Sequence, residues 1–282
     1  MTSAPRLGAA VMERLKRELD SRDWRLLRDV ADFRLMTGRQ LQRLHFGTGE
    51  AAARATRRAL KRLTNRAVLV RLSRQIGGVR AGSSGFVYAL GRAGHRLLHS
   101  DGPPRRLYEV RDGFLNHTLA IADLYVGLRT AAQGGRFELL RVEPEPLCWR
   151  RLPDGGDWLK PDLHIVLGLG EEALHSFVEL DRGTEHRPTL LRKLRQYEAA
   201  YRSGTGEAHV AVFPRVVWLV PDERRAHVVR NLCRSRGLTS DLHAVAVVAD
   251  ALSALSGENE ADERPPPVGY QKGNDELRKE VT

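Results

Sequence analysis

Cysteine is nearly missing from this 282-residue chain, which has only Cys148 and Cys233. Two isolated thiols make neither a disulfide framework nor a CxxC metal pattern, so a reducing compartment is expected. Aromatic residues are scarce, at 6%, and no strand carries the aromatic signature of an RNA-binding sheet. No apolar run approaches the roughly 18 residues of a membrane span. The opening residues, MTSAPRLGAAVMERLKREL, are broken by charges and lack a signal-peptide core. The expectation is a cytoplasmic protein with no membrane partner. Acids are also in deficit: 35 Asp+Glu face 46 Lys+Arg, a formal charge of +11. The imbalance sits at one end. Residues 1–110 hold 23 Lys+Arg and 9 Asp+Glu, a net of +14, which leaves −3 for the remainder. A basic portion joined to a near-neutral one fits a nucleic-acid module attached to something else, and excludes a uniformly basic coat.

What is present is a concentration of positive charge from Glu50 to Arg66, EAAARATRRALKRLTNR. Helical residues advance about 100° each. That spacing puts Ala52, Ala59, Leu60, Leu63 and Ala67 on one side and Arg54, Arg57, Arg58, Lys61, Arg62 and Asn65 on the other. A stripe of cations of this kind suits the phosphates of a duplex. Upstream, Ser21 is expected to cap a helix reaching Leu35. Thr37 and Gln40 form a capping box that opens a short helix to about Phe46, and a Gly47–Gly49 turn leads into the basic helix. Helix, turn, helix is the arrangement whose second helix enters the major groove. Val68–Leu72 and Gly85–Leu90 read as a strand pair around a Gly-rich loop carrying Arg74 and Arg80. Together these make a winged helix, with Thr37, Arg39, Gln40, Arg43, Arg54, Arg57, Arg58, Lys61, Arg62, Arg74 and Arg80 as candidate DNA contacts.

The spacing divides the chain into an N-terminal arm (1–20), a winged-helix DNA-binding domain (21–100), a linker (101–111), an α/β domain (112–255) and a disordered tail (256–282). A helix over 112–132 introduces that α/β domain. Strands then follow at 136–142, 160–167 and 174–181, and after a helix at 188–201 a strand at 216–220. A helix at 223–236 and a strand at 243–248 complete a mixed sheet. Asp162 opens one strand, and Glu179 and Asp181 lie two apart on the next, where strand residues share a face. Three carboxylates gathered in this way would suit Mg²⁺ or Mn²⁺, which can activate water against a phosphodiester.

Pro161-Asp162 followed by Glu179-Leu180-Asp181 resembles the PD-(D/E)XK nuclease superfamily. The motif there ends in Lys, where this chain has Asp181, and Lys193 on the following helix is the available substitute. The resemblance implies catalytic roles for Asp162, Glu179 and Lys193, and metal ligation by Asp162, Glu179 and Asp181. A narrower resemblance joins several segments in order: Met36–Leu41 (MTGRQL), Val68–Leu72, His117, Lys160–Asp162, Val178–Thr184 (VELDRGT), and Lys193 with Tyr197. Over residues 21–250 the chain resembles the plasmid replication-relaxation family of Gram-positive bacteria. The implied fold class is α+β, an N-terminal winged helix-turn-helix followed by a restriction-endonuclease-like α/β domain with a mixed sheet. The implied function is double-stranded DNA binding in plasmid or mobile-element replication and relaxation. Alternatives are a metal-dependent endonuclease or nickase and a winged-helix transcriptional regulator. Double-stranded DNA is the expected partner, with a homodimer and replication or relaxation proteins as further candidates.

Overall fold

Two helices near the N-terminus start on side-chain caps. The computed structural model describes residues 8–76, 85–99, 112–151, 158–204, 212–258 and 268–272. The protein is α+β and divides into two units, Met1–Val126 and Gly127–Thr282. In the first, α1 (Ala9–Glu18) precedes α2 (Ser21–Phe33). The cap of α2 is Asp20, not Ser21. Its carboxylate accepts from the Asp23 N–H at 2.8 Å, and the Asp23 carboxylate accepts from the Asp20 N–H. A carboxylate caps as well as a hydroxyl and also meets the positive end of the helix dipole. Next come β1 (Met36–Thr37) and α3 (Gly38–His45). The Thr37–Gln40 capping box forms as the spacing predicts: Thr37 Oγ1 accepts from Gln40 N at 3.1 Å, and Gln40 Oε1 accepts from Thr37 N at 2.7 Å.

The basic helix is α4 (Gly49–Asn65), which buries Thr56, Leu60 and Leu63. Ala67 does not continue its apolar face. The residue is exposed, at φ +54°, because the helix ends there. Ala67 N donates to Thr64 O and Val68 N to Leu63 O, a pair of bonds that satisfies the last carbonyls through a left-handed residue. Strands β2 (Leu69–Ile76) and β3 (Gly85–Leu90) pair antiparallel, and β1 adds to β3. The tip that holds Arg80 lies outside the described residues. Helix α5 (Arg92–Leu98) lies tight against the start of β2. A Cβ on Gly91 would overlap the Ala67 carbonyl oxygen, and one on Gly94 that of Val68. The 101–111 linker is outside the described residues. The first half of α6 (Asp112–Gln133) sends Leu115 and Leu119 onto Leu35, Val87 and Ala89.

The second unit runs β4 (Glu138–Pro144), β5 (Arg150–Arg151), β6 (Trp158–Leu159), β7 (Leu163–Leu169), β8 (Glu172–Leu180), α7 (Arg187–Arg202), β9 (Arg215–Val220), α8 (Glu223–Ser235), β10 (His243–Val247), α9 (Ala251–Ser256) and β11 (Tyr270–Lys272). Its sheet has the order β10-β9-β8-β7-β4. The β4, β7 and β8 ladders are antiparallel, and those of β8, β9 and β10 are parallel through the α7 and α8 crossovers. Central strands covered on both faces are largely apolar: β9, RVVWLV, is buried at every position, and its one charged residue, Arg215, donates to the Ala254 carbonyl. Leu190, Leu194 and Tyr197 of α7, with Val229 and Leu232 of α8, pack on Phe177, Val216 and Trp218.

The described residues 268–272 of the tail depart from the expected disorder. Within 256–282, β11 pairs with the first residues of β8, Tyr270 opposite Leu174, and His175 N donates to Gly269 O at 2.8 Å. Strand β9 covers β8 only from Ser176 onward, so β11 occupies the length of that edge which β9 leaves open. Among the described residues, no helix is long and apolar enough to cross a membrane.

Candidate nucleic-acid interface and buried acid site

The cations of α4 divide into two groups. Arg54, Arg57, Arg58 and Lys61, at i, i+3, i+4 and i+7, are all exposed and therefore share one face. Arg54 reaches Glu50 at 3.2 Å between two exposed side chains, a pair of little energetic weight. Among the described residues, Arg57, Arg58 and Lys61 make no ion pair. Arg62 differs: it donates to Asp23 at 2.7 Å, and that carboxylate is 3% exposed. Arg66 likewise pairs with Glu18 at 2.8 Å. Arg62 thus neutralises a buried cap instead of standing free on the open face.

The α3 candidates divide in the same way. Arg39 and Arg43 are exposed. Gln40 is buried, and besides its capping bond its Nε2 donates to Leu119 O at 2.9 Å and Asp123 Oδ1 at 2.8 Å. It ties α3 to α6 and presents nothing outward. Thr37 is engaged as the cap. On the hairpin, the Arg71 guanidinium lies 4.2 Å from the centre of the exposed Phe86 ring. Arg74 falls within β2, where only its backbone is described, and Arg80 is outside the described residues.

In the second unit the ladder pairs Leu163 with Val178, which sets Asp162 opposite Glu179. Glu179 is buried, and both of its oxygens are occupied: Lys193 Nζ donates to Oε2 at 2.8 Å and Tyr197 O–H to Oε1 at 2.5 Å. Lys193 also donates to Glu185 at 2.6 Å. Asp162 Oδ2 accepts from Leu180 N at 2.7 Å. Burial, and then the neighbouring Asp162 charge, raise the Glu179 carboxyl above the usual range against the pull of Lys193 and Tyr197. Burial opposes the Lys193 ammonium, but Glu179, Asp162 and Glu185 more than offset it and hold its pKa above the ordinary value. Burial, then Glu179, raise the Tyr197 hydroxyl as well.

Asp181 does not belong to this group. Strand β8 ends at Leu180, so the two-residue alternation no longer fixes its direction. The Asp181 carboxylate accepts from Arg225 Nε at 2.5 Å and from Gly183 N at 2.8 Å, and Arg225 also donates to the Glu185 carbonyl. Mg²⁺ or Mn²⁺ requires several converging oxygen donors. Among the described residues, no three His, Cys, Asp or Glu side chains gather to hold an ion. With Glu179 bonded twice within the protein and Asp181 held by Arg225, the arrangement as it stands does not fit such a metal. Glu185 and Arg225 are outside the site that the sequence predicts. Glu185 is legible there only as a loop acid, and Arg225 lies 44 residues beyond Asp181, too far for spacing to reveal.

An open groove of about 430 Å³ on α7 is lined by Arg195, Glu198, Ala199, Arg202, Arg236 and Leu238. Its charged lining is unlike the closed apolar pocket that a ligand-sensing regulator would need. Compared with known proteins, residues 27–216, about two thirds of the chain, match a family model described as replication-relaxation. No curated protein and no solved structure matches.

Proposed function

The chain belongs to the replication-relaxation family, and on that premise we propose that it binds double-stranded DNA through α4, in the manner of a winged helix, with the second unit a nuclease-like scaffold. Family membership supports a role in plasmid replication or relaxation, with DNA and replication proteins as partners. The observation that carries the DNA reading is the open stripe of Arg54, Arg57, Arg58 and Lys61 on one side of α4, whose opposite side is anchored by Leu60 and Leu63. Arg39 and Arg43, exposed on α3, extend the candidate surface.

Every phosphate left without its cation should reduce the slope of log affinity against log salt by about 0.9. Replacing Arg58 and Lys61 together with alanine is therefore expected to weaken duplex binding on every sequence and to lower that slope by about two. Fluorescence anisotropy across a salt series measures both. Unchanged affinity and slope would remove α4 from the interface.

A second reading, a metal-dependent endonuclease of degenerate PD-(D/E)XK type, is favoured by Asp162 standing opposite Glu179 beside Lys193. The internal bonding of those carboxylates weighs against it. Nicking of supercoiled plasmid that requires Mg²⁺ or Mn²⁺ and disappears in Asp162→Ala would establish this reading. No nicking with either ion would leave the second unit as a scaffold.

A further inference from the structure

The two-residue strands β5 and β6 form a ribbon with two unlike faces. Arg150 pairs with Leu159 and Arg151 with Trp158 across the ladder. The Arg150–Leu159 pair points inward. Leu159 is buried in the core with Phe177, Leu190 and Leu194, and Arg150 donates to Glu143 at 2.5 Å and to the Leu147 carbonyl at 2.9 Å. Opposed residues share a face and successive pairs alternate, so the Arg151–Trp158 pair points outward. Both are exposed, and Trp158 retains 47% of its surface. One step along, outside the ladder, stand Trp149, half-buried with its indole nitrogen enclosed, and Lys160. Lys160 is exposed, and its Nζ lies 4.9 Å from the centre of the Trp149 ring. The exposed groups here are thus one indole, Trp158, and two cations, Arg151 and Lys160, with the Trp149 ring beside the Lys160 ammonium. Lys160 is two residues before Asp162.

We propose that this outward ribbon face is a platform for single-stranded DNA, on which an unpaired base stacks against Trp158 while Arg151 and Lys160 meet the flanking phosphates. Stacking needs an open π-face, which bases inside a duplex do not offer. The indole is held out of the core by a ribbon whose other face is anchored, so little ordering remains to oppose binding. Two cations beside it favour a polyanion over an ordinary protein surface. Binding of this kind is distinct from duplex docking by α4 and requires no cleavage.

The test uses the full chain, a labelled oligothymidylate and a labelled mixed-sequence duplex, both read by anisotropy. Trp158→Ala is expected to weaken oligothymidylate binding roughly tenfold, in line with the stacking energy of one base, and to leave duplex affinity within about twofold. Trp158→Phe should restore most of the affinity, and Arg151→Ala should lower the single-strand salt slope by about one. Trp158 is half exposed, so an unchanged melting temperature shows that the variant is folded. Combining Arg58→Ala with Lys61→Ala should spare single-strand binding, which keeps this proposal separable from the α4 reading. No oligothymidylate binding, an unchanged affinity in Trp158→Ala, or equal weakening on both probes would overturn the proposal.

Discussion

Helices α4 and α7 carry the same number of cations, and in each a single one turns inward to a buried acid, from a distant helix cap in α4 and from the sheet beneath in α7. Arg54, Arg57, Arg58, Lys61 and Arg62 lie on α4, and Arg187, Arg192, Lys193, Arg195 and Arg202 on α7. On α4 four of the five form one exposed stripe and the fifth neutralises Asp23. On α7 Arg187, Arg192, Arg195 and Arg202 are likewise exposed, Arg202 pairing with Glu198 within its own helix, and Lys193 turns toward the sheet to hold Glu179. Cationic content alone does not distinguish an open face from an internal brace. Where the acids lie decides it, and those acids are often distant in sequence.

The largest expected effect comes from breaking the brace. Lys193→Ala leaves the buried Glu179 without its cation and should cost on the order of 3–5 kcal/mol, read from denaturant unfolding. Adding Glu179→Gln to that variant should recover part of the stability, because no unpaired charge remains. A purely additive outcome would mean that the two groups are not coupled.

Acid should act next, and on the second unit. Burial lowers the pKa of His164, and lowers that of His175, which also lies near His164, to about 4 from 6.5. The folded chain therefore resists protons that the unfolded chain accepts, so stability is complete above pH 6.5 and declines as pH falls toward 4. His175 alone accounts for about 3 kcal/mol across that window. Glu143 extends the decline below 4.5: burial opposes its charge, but His164 and Arg150 hold its pKa down to about 2. The raised carboxyl of Glu179 pulls the other way above 4.5. Melting temperature against pH, followed by the fluorescence of the tryptophans, measures the balance. A profile from about pH 7 to 4.5 that stays flat when Glu179→Gln removes the opposing carboxyl would mean that the imidazoles are hydrated.

Arg62→Ala should cost about 1–3 kcal/mol, since it strands the Asp23 carboxylate. Arg58→Ala, one turn away, should stay within about 0.5 kcal/mol. Equal costs for the two would erase the distinction drawn within α4.

Whatever depends on near neighbours was legible in the sequence. Thr37 and Gln40 announce α3 because both partners of the capping box lie within four residues. The alternation and helical spacing of the second unit place β7, β8, α7 and β9 to within three residues at each end. Arg62 departs from the expected open face because a helical wheel cannot display Asp23, 39 residues upstream. Asp181 departs from the expected acid cluster because the alternation stops one residue earlier, at the end of β8. Strands β5 and β6, two residues each, are too short for any periodic signal. Strand β11 exists only because β8 offers it an edge, and nothing in its own three residues announces that.

The position of β11 bears on how the protein can be shortened. The stretch after Ser256, rich in proline and charge, invites removal. A chain cut before Val268 would leave the backbone of Glu172 to His175 with one side unpaired. Such an edge is a template for the strand of another molecule. A trimmed version is thus expected to be the more prone to precipitate, although it discards the least apolar part of the polypeptide.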